Sequence, residues 1–191
     1  GHPNVCRYVA AICDSTNVGS SAWSLIMEAY PRGSIFDIIR NGKEPFQEEH
    51  ALALTQDILQ GLNFIHEKKI IHRDIKHSNT CLAADGRAVI IDFGAAVHSS
   101  QTARMAIPCG TPGSMAPEVL MQRPYGPKVD VFGCATVLYF ALGGVPPFMG
   151  DCTLVLLRKN RRAHVKFTTK HFKNVQPYTR KTIKVMMRVL A

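Results

Sequence analysis

The 191-residue sequence has no uninterrupted apolar run of the roughly 18–20 residues that a membrane-spanning helix requires. The longest candidate, residues 129–145, is shorter and contains Asp130. The N-terminus carries no pattern of a secretory signal. With 46% apolar residues, the composition is that of a globular domain with one core, and we expect no membrane partner.

The sequence also lacks paired cysteines. Its six cysteines lie at positions 6, 13, 81, 109, 134 and 152, and no two of them form a CxxC motif. Scattered cysteines of this kind indicate free thiols in a reducing compartment. We therefore expect a cytoplasmic protein, with the nucleus as the alternative location.

Acidic residues are absent after Asp151, although 11 of the 23 Lys and Arg residues lie between Arg158 and Arg188. The basic segment either binds an acidic partner, anionic lipid or nucleic acid, or it is a solvated face whose acidic counterpart lies on chain outside these residues. The second interpretation is favoured, and an acidic partner stays open as the alternative. We expect no nucleic-acid partner, because no recognisable RNA-binding module is present.

Two helices are predicted from the spacing of apolar residues. A helix beginning near Glu48 carries a single apolar stripe, formed by Leu54, Ile58, Leu62 and Ile65. A later helix over residues 129–143 is apolar on nearly every face, which predicts that it is buried all round. Ser34 is a favourable N-cap residue for a shorter helix over residues 35–40.

Between the two longer helices, residues 71–94 contain polar residues that are enclosed by apolar runs. The Asp85-Gly86 pair is a strong turn signal, so Thr80–Leu82 and Arg87–Ile91 are predicted to form a β-hairpin. Such a hairpin brings the residues before it and after it together. A polar loop braced by a rigid core is a common location for functional side chains.

Three polar side chains are expected to meet at the open end of this hairpin. Asp74 and Asn79 precede its first strand, and Asp92 follows its second strand. Two carboxylates and a carboxamide, with no nearby thiol or pair of imidazoles, provide the oxygen ligands that Mg²⁺ prefers. The sequence therefore predicts a magnesium site around the hairpin.

Four short motifs occur in order along the chain. They are HRDIKHSN at residues 72–79, DFG at 92–94, GTP at 110–112 and APE at 116–118. In this order and spacing, the motifs make the sequence resemble the eukaryotic protein kinases, and the resemblance covers nearly the whole chain.

The resemblance implies an α+β, protein kinase-like fold, mainly the helical C-terminal lobe with a small β remnant of the N-terminal lobe. It implies one incomplete protein kinase domain over residues 1–191. Within that domain, residues 1–29 would be small-lobe strands and hinge, and residues 30–191 would be the large helical lobe.

The resemblance also implies a role for each polar residue of the motifs. Asp74 would accept the proton of the substrate hydroxyl, and Asn79 and Asp92 would hold the Mg²⁺ ions that neutralise the β- and γ-phosphates of ATP. Lys76 resembles the lysine with which serine/threonine kinases contact the γ-phosphate, so the expected substrates are Ser and Thr hydroxyls of proteins. Thr111 matches the threonine that supports the catalytic Asp and Lys.

An ATP site is implied in the same way. Met27, Glu28 and Tyr30 would lie at the hinge, with Met27 as the gatekeeper and the main chain of the other two facing the adenine. Cys81 and Asp92 complete the expected cofactor-binding residues. The expected cofactors are ATP and Mg²⁺.

Residues 95–115 resemble an activation segment, and Arg73 is the residue that in such kinases receives a phosphate group from it. The usual phosphate acceptor falls near Ile107, which has no hydroxyl group. The remaining hydroxyl groups belong to Ser99, Ser100 and Thr102. Of these, we select Thr102 as the candidate phosphorylation site.

Three further residues are expected to have structural roles. Asp130 would cap the main chain of the catalytic loop from the buried helix, and His72 would pack against Phe93 rather than titrate. The arginine that pairs with Glu118 in such kinases is not reached by this sequence, so Glu118 is expected to lack its ion-pair partner.

The sequence contains no GxGxxG motif and no VAIK-like lysine before the opening GHPN, and it begins without Met. We therefore expect a piece of a longer protein. Two functions stay open: a segment of an active serine/threonine kinase with little activity of its own, and a non-catalytic, kinase-like scaffold. The joint presence of Asp74, Lys76, Asn79 and Asp92 favours the first, because a scaffold has no chemical use for all four. A basic nucleic-acid-binding module is the least supported class.

Overall fold

The computed structural model describes residues 1–14, 22–42, 44–168 and 170–188. The strands in these ranges are β1 (Tyr8–Asp14), β2 (Ala22–Met27), β3 (Ile70–Ile71), β4 (Thr80–Leu82), β5 (Ala88–Ile90) and β6 (Val97–His98). The α-helices are α1 (Ile35–Gly42), α2 (Glu48–Glu67), α3 (Thr102–Met105), α4 (Pro117–Leu120), α5 (Lys128–Gly143), α6 (Thr153–Arg162) and α7 (Pro177–Met186). The expected α+β composition is confirmed. None of these helices is both long enough and apolar enough to cross a membrane.

The strands form three separate antiparallel pairs, β1 with β2, β3 with β6 and β4 with β5. The segment before β1 also joins β5 through its main chain. Ile90 N–H donates to the carbonyl of Asn4 at 2.9 Å, and Cys6 N–H donates to the carbonyl of Ile90 at 2.8 Å. On the other side of the hairpin, Ser34 forms a main-chain bridge to Cys81. The β4–β5 hairpin is therefore held on both edges.

Helix α1 begins with a reciprocal cap. Asp37 N–H donates to Ser34 Oγ at 3.2 Å, while Asp37 Oδ2 accepts from Ser34 N–H at 3.0 Å and from Ser34 Oγ at 2.6 Å. These hydrogen bonds stabilise the ionised carboxylate and lower the pKa of Asp37. Ser34 is confirmed as an N-cap residue, and the helix continues to Gly42 instead of ending at Arg40.

The core lies where α2 packs against α5. The buried face of α2 contains the whole predicted stripe of Leu54, Ile58, Leu62 and Ile65. Every residue of α5 from Phe132 to Gly143 is buried, so the prediction of a helix enclosed on all faces is confirmed. Gly144 ends α5 with φ of 69°, a left-handed conformation that glycine adopts at helix C-termini without steric cost.

Helix α5 also approaches the loop that joins β3 to β4. A Cβ atom added at Gly133 would lie 2.7 Å from the carbonyl oxygen of Ile75 and 2.8 Å from its Cβ. Only a residue without a side chain allows this approach. The core helix is therefore in direct contact with the main chain of residues 72–79, on which the predicted site depends.

We expect Gly133→Ala to destabilise the fold. Alanine favours a helix over glycine by about 1 kcal/mol, but overpacking against a rigid main-chain carbonyl costs about 1–3 kcal/mol, so a net loss of up to about 2 kcal/mol should follow. Urea unfolding measures this loss. Gly126→Ala is the matched control, because an added Cβ there meets nothing within 4 Å. An equal loss in both variants would contradict the close approach of α5 to Ile75.

Candidate active site

The β4–β5 hairpin brings the predicted site residues together. Its register places Thr80 opposite Ile90 and Leu82 opposite Ala88, and Ile91 N–H donates to the carbonyl of Asn79 at 3.0 Å. The predicted hairpin is confirmed, with a second strand that is shorter than expected. Because Asp92 directly follows Ile91, it lies beside Asn79 at the open end of the hairpin.

The carboxylate of Asp74 is the centre of a hydrogen-bond network. Its Oδ1 accepts from Thr111 N–H at 2.9 Å and from Thr111 Oγ1 at 2.7 Å. Its Oδ2 accepts from Lys76 Nζ at 2.7 Å and from Asn79 Nδ2 at 3.1 Å. Both oxygens of Asp74 are thus oriented by fixed donors.

The donors around Asp74 are also connected to each other. Lys76 Nζ donates to Thr111 Oγ1 at 2.6 Å, and Asn79 Nδ2 donates to the main-chain carbonyl of Asp74 at 3.0 Å. The Asp74 and Lys76 side chains are 13% and 19% exposed. Their ion pair is therefore partly removed from water, where charge-assisted hydrogen bonds are stronger than at the surface. The structure brings together all four residues that the sequence predicted as catalytic, and their roles stay predictions.

Asp92 has a backbone conformation that few residues adopt. Its φ of 64° and ψ of 79° lie in the left-handed region, and its Oδ1 accepts from Gly94 N–H at 3.1 Å. Aspartate tolerates this region better than most residues, and such conformations often mark functional sites. The side chain is exposed at the end of β5.

The donor atoms available to a cation at this point are oxygens. Both hydrogen bonds of Asn79 Nδ2 go to Asp74, which leaves Asn79 Oδ1 as the carboxamide atom for a metal. Asp92 contributes a carboxylate. In the described part of the chain, no group of three His, Cys, Asp or Glu side chains is arranged to hold a metal. A carboxamide and a carboxylate fit a hard cation such as Mg²⁺ that keeps several of its waters.

The loop of residues 72–79, which the sequence predicts to be the catalytic loop, is anchored by Asp130 in the first turn of α5. This carboxylate is fully buried. Its Oδ2 accepts from His72 N–H at 2.8 Å, and its Oδ1 accepts from Arg73 N–H at 2.8 Å. His66 of α2 adds a third contact, from Nε2 to Oδ2 at 2.8 Å. The predicted capping role of Asp130 is confirmed, whereas the contribution of His66 was not foreseen.

The imidazole of His72 connects the catalytic loop to the end of β5. Its Nδ1 accepts from Asp74 N–H at 3.2 Å, so its Nε2, 3.0 Å from the carbonyl of Ile91, is the donor. The ring meets Phe93 edge-on, with centroids 4.8 Å apart. The expected packing of His72 against Phe93 is confirmed. Through these contacts one buried ring fixes Asp74 relative to the residues around Asp92.

The side chain of Arg73 anchors the segment that follows the DFG motif through hydrogen bonds. Its Nε donates to the carbonyl of Ala95 at 2.7 Å, and its Nη1 donates to the carbonyl of Arg104 at 3.0 Å and to Tyr125 Oη at 3.2 Å. Thr102 begins helix α3 between these two carbonyls and is exposed. Its phosphorylation stays a prediction, and the contact of Tyr125 with Arg73 was not foreseen.

Asn160 of α6 holds the loop between the GTP and APE motifs. The side chain is fully buried; its Oδ1 accepts from Gly113 N–H at 2.9 Å, and its Nδ2 donates to the carbonyl of Met115 at 2.8 Å. No sequence signal marks this residue, because it stands inside the basic run RKNRR. It connects the surface helix α6 to the loop that follows Thr111.

The predicted hinge residues lie at the end of β2 and directly after it. Met27 Sδ lies 3.5 Å from Cys6 Sγ, and Glu28 N–H donates to the carbonyl of Arg7 at 3.0 Å. The carbonyl of Tyr30, expected to face the adenine, accepts from Gly33 N–H at 3.0 Å and is therefore part of a turn. Burial is the main cause that raises the pKa of the Tyr30 phenol to about 12.

Cys81 lies at the centre of β4 and is 8% exposed. Burial, with smaller contributions from Asp37 and Cys6, raises the pKa of its thiol to about 11. The thiol is thus neutral and behaves as a small apolar group. Through the bridge to Ser34, Cys81 lies beside the chain that leaves the hinge, and its contact with a nucleotide stays a prediction.

Comparison with protein families identifies the family of this chain. The sequence model of the family described as "Protein kinase domain" matches residues 1–190. The chain belongs to the protein kinase family. The fold prediction is thereby confirmed, as a kinase fold with a mainly helical lobe and a small β portion.

Similar proteins include sperm motility kinase 2B of Mus musculus, 38% identical over 159 residues, which cover 83% of this kinase chain and 32% of that protein. Calcium/calmodulin-dependent protein kinase type 1 of Macrobrachium nipponense is 30% identical over 192 residues, 98% of this chain and 53% of that protein. Serine/threonine-protein kinase PAK 1 of Mus musculus is 35% identical over 152 residues, 78% of this chain and 26% of that protein. The predicted relationship to serine/threonine kinases is confirmed, and the chain spans about a quarter to about half of these relatives.

The carboxylate of Glu118 is buried, and one of its oxygens has no hydrogen-bond partner among the described residues. Glu118 belongs to the APE motif and is 5% exposed, and the oxygen in question is Oε2. Burial raises the pKa of Glu118 above its ordinary value of 4.5, because the charged form is poorly solvated.

We expect Glu118→Gln to gain stability relative to the wild type as pH rises. The unfolded chain loses the Glu118 proton at a lower pH than the folded chain does, so rising pH favours unfolding of the wild type over that interval. Urea unfolding at pH 4 and pH 8 measures the difference between the two proteins, which should be larger at pH 8.

The matched control for this pH effect is Asp151→Asn, which removes an exposed, solvated carboxylate. Its difference from the wild type should be the same at both pH values. A wild type that gains stability over Glu118→Gln between pH 4 and pH 8 would show that the buried carboxylate has a partner.

Proposed function

We propose that the protein containing this chain transfers the γ-phosphoryl group of ATP to Ser or Thr hydroxyls of protein substrates. The observation that supports this most directly is the Asp74 carboxylate, whose two oxygens are held by Lys76, Asn79 and Thr111 at once. The arrangement is typical of an active phosphotransferase.

In the proposed reaction, Asp74 orients the substrate hydroxyl and accepts its proton. The hydroxyl oxygen forms a bond to the γ-phosphorus while the bond from the γ-phosphorus to the β-γ bridging oxygen breaks, and ADP leaves with that oxygen. Thr111 keeps Asp74 in a single orientation. Lys76 lies 2.7 Å from Asp74 Oδ2 and places a positive charge beside the transferred group.

Asn79 and Asp92 are the residues proposed to hold Mg²⁺. When bound, the ion neutralises charge on the β- and γ-phosphates, as protein kinases require. Because Asn79 donates to Asp74 through the other end of its carboxamide, the metal site and the proton acceptor share one side chain. A change in the position of the Mg²⁺ ligand Asn79 is therefore expected to change the position of Asp74 as well.

For the adenine, we propose contacts with Met27, the main chain of Glu28 and Tyr30, and Cys81. The carbonyl of Glu28 and the N–H of Tyr30 are the hinge groups that the hydrogen bonds to Arg7 and Gly33 leave available. We propose residues 1–29 as the small-lobe part and residues 30–191 as the large lobe. A non-catalytic, kinase-like scaffold is the alternative function, and transfer assays separate the two.

Asp74→Asn should abolish transfer while leaving the fold intact. Loss of a positioned proton acceptor lowers rates by about 10²–10⁴-fold. Transfer of labelled phosphate from Mg-ATP to dephosphorylated casein by the full-length protein measures the effect, and thermal unfolding checks the fold. Asp85→Asn, an exposed carboxylate in the hairpin turn, is the matched control and should keep its activity. A wild type without activity would favour the scaffold.

Asp92→Asn should weaken the binding of ATP in the presence of Mg²⁺ by about tenfold or more, because a metal ligand loses its charge. Calorimetric titration with ATP, with Mg²⁺ and with EDTA, measures the change. In EDTA the variant and the wild type should bind ATP equally weakly. The same loss in EDTA would show that Asp92 acts without the metal.

A further inference from the structure

We propose that the groove between α4 and α6 binds an acidic peptide segment with apolar side chains, contributed by a partner protein. We name it the Leu–Arg groove, and it encloses about 360 Å³. Its walls are Leu120, Leu154, Leu157, Arg158 and Arg161. None of these residues belongs to the network around Asp74, so this proposal does not rest on phosphoryl transfer.

One face of α6 provides four of the five walls. Leu154, Leu157, Arg158 and Arg161 recur at offsets of 0, 3, 4 and 7, the spacing of side chains on the same side of a helix. Another side of α6 is fixed by the buried Asn160 through its two hydrogen bonds to the loop before α4. The groove is therefore presented on a helix whose orientation is set, which favours binding without reordering.

The groove offers an apolar anchor point that the chain itself leaves uncovered. Leu154 is 74% exposed, the largest exposed fraction among the large apolar side chains in the described ranges. It lies one helical turn from Leu157 and adjoins Leu120 of α4 across the groove. An apolar side chain inserted between these leucines would remove them from water together.

The positive charge of the surface around the groove favours a negatively charged partner. The structure shows no carboxylate within 4.0 Å of any of the 11 Lys and Arg residues between Arg158 and Arg188, in the part of the chain that it describes. The last acidic residue of the sequence is Asp151, before α6 begins. Among the described residues, the arginines of the groove therefore have no carboxylate partner, and their planar guanidinium groups match carboxylates of a partner.

The composition of the groove favours a peptide over a nucleic acid. Grooves that bind single-stranded nucleic acid combine basic residues with aromatic side chains for base stacking, whereas three of the five walls here are leucines and none is aromatic. Apolar walls next to cationic walls instead complement an amphipathic segment with Leu beside Asp or Glu. The proposed partner is thus an acidic, leucine-containing segment of another protein.

The test uses the full chain and a fluorescein-labelled peptide of Asp, Glu and Leu arranged as an amphipathic helix. Fluorescence anisotropy, without ATP, measures its Kd. Arg158→Glu/Arg161→Glu should weaken binding by about tenfold or more, because two attractive charges become repulsive. Leu154→Ala should weaken it by about fivefold. This second variant truncates an exposed side chain, so it keeps the fold and remains informative if the charge reversal unfolds the protein.

The matched control is Lys173→Glu/Lys181→Glu, which makes the same change of charge on exposed basic residues outside the groove. Its Kd should stay within about twofold of the wild type. An equal loss in both double variants would overturn the proposal, as would equal binding of a peptide with Ala in place of Leu. Tighter binding of a single-stranded RNA oligonucleotide, weakened by the same groove variants, would assign the surface to nucleic acid and also overturn it.

Discussion

The buried carboxylate of Asp130 is the interaction on which the site depends. Helix α5 is apolar over most of its length, and it has no other charged side chain among its buried residues with which to hold a polar loop. Removing a carboxylate from water is unfavourable unless several donors replace the lost hydration. Here His66, His72 and Arg73 supply those donors, and two of them are main-chain groups of the catalytic loop. The need to satisfy one buried charge therefore fixes the loop in place.

The rest of the site follows from that fixed loop. Once the main chain at His72 is held, its imidazole contacts both Asp74 and Ile91. The position of the loop is therefore fixed relative to the position of the hairpin. The hairpin is in turn held by Asn4 on one edge and Ser34 on the other. Asp74 and Asp92 therefore lie on main chain that is part of the core, which suits chemistry that depends on positioning.

Features with a local cause could be predicted from the sequence. The hairpin was predictable because Asp85-Gly86 determines a turn within a few residues, and helix α2 because its apolar stripe repeats along one segment. The position of Asp92 next to Asn79 in the chain fold, at the open end of the hairpin, followed from the hairpin alone. Contacts between distant segments could not be predicted. His66 and Asp130 are 64 positions apart, and Arg73 and Tyr125 are 52 positions apart. The residues next to His66 or Tyr125 in the sequence give no sign of these contacts, because each partner is determined by the packing of distant segments.

The contacts of Arg73 have a consequence for the segment after the DFG motif. The groups that its guanidinium holds there are two carbonyls and a hydroxyl, all of them neutral. Dissolved ions screen pairs of opposite charges strongly but act weakly on hydrogen bonds to neutral oxygens. The attachment of this segment in the structure described here is therefore insensitive to ionic strength, in contrast to the salt-sensitive attachment that a phosphate group on the same arginine would give.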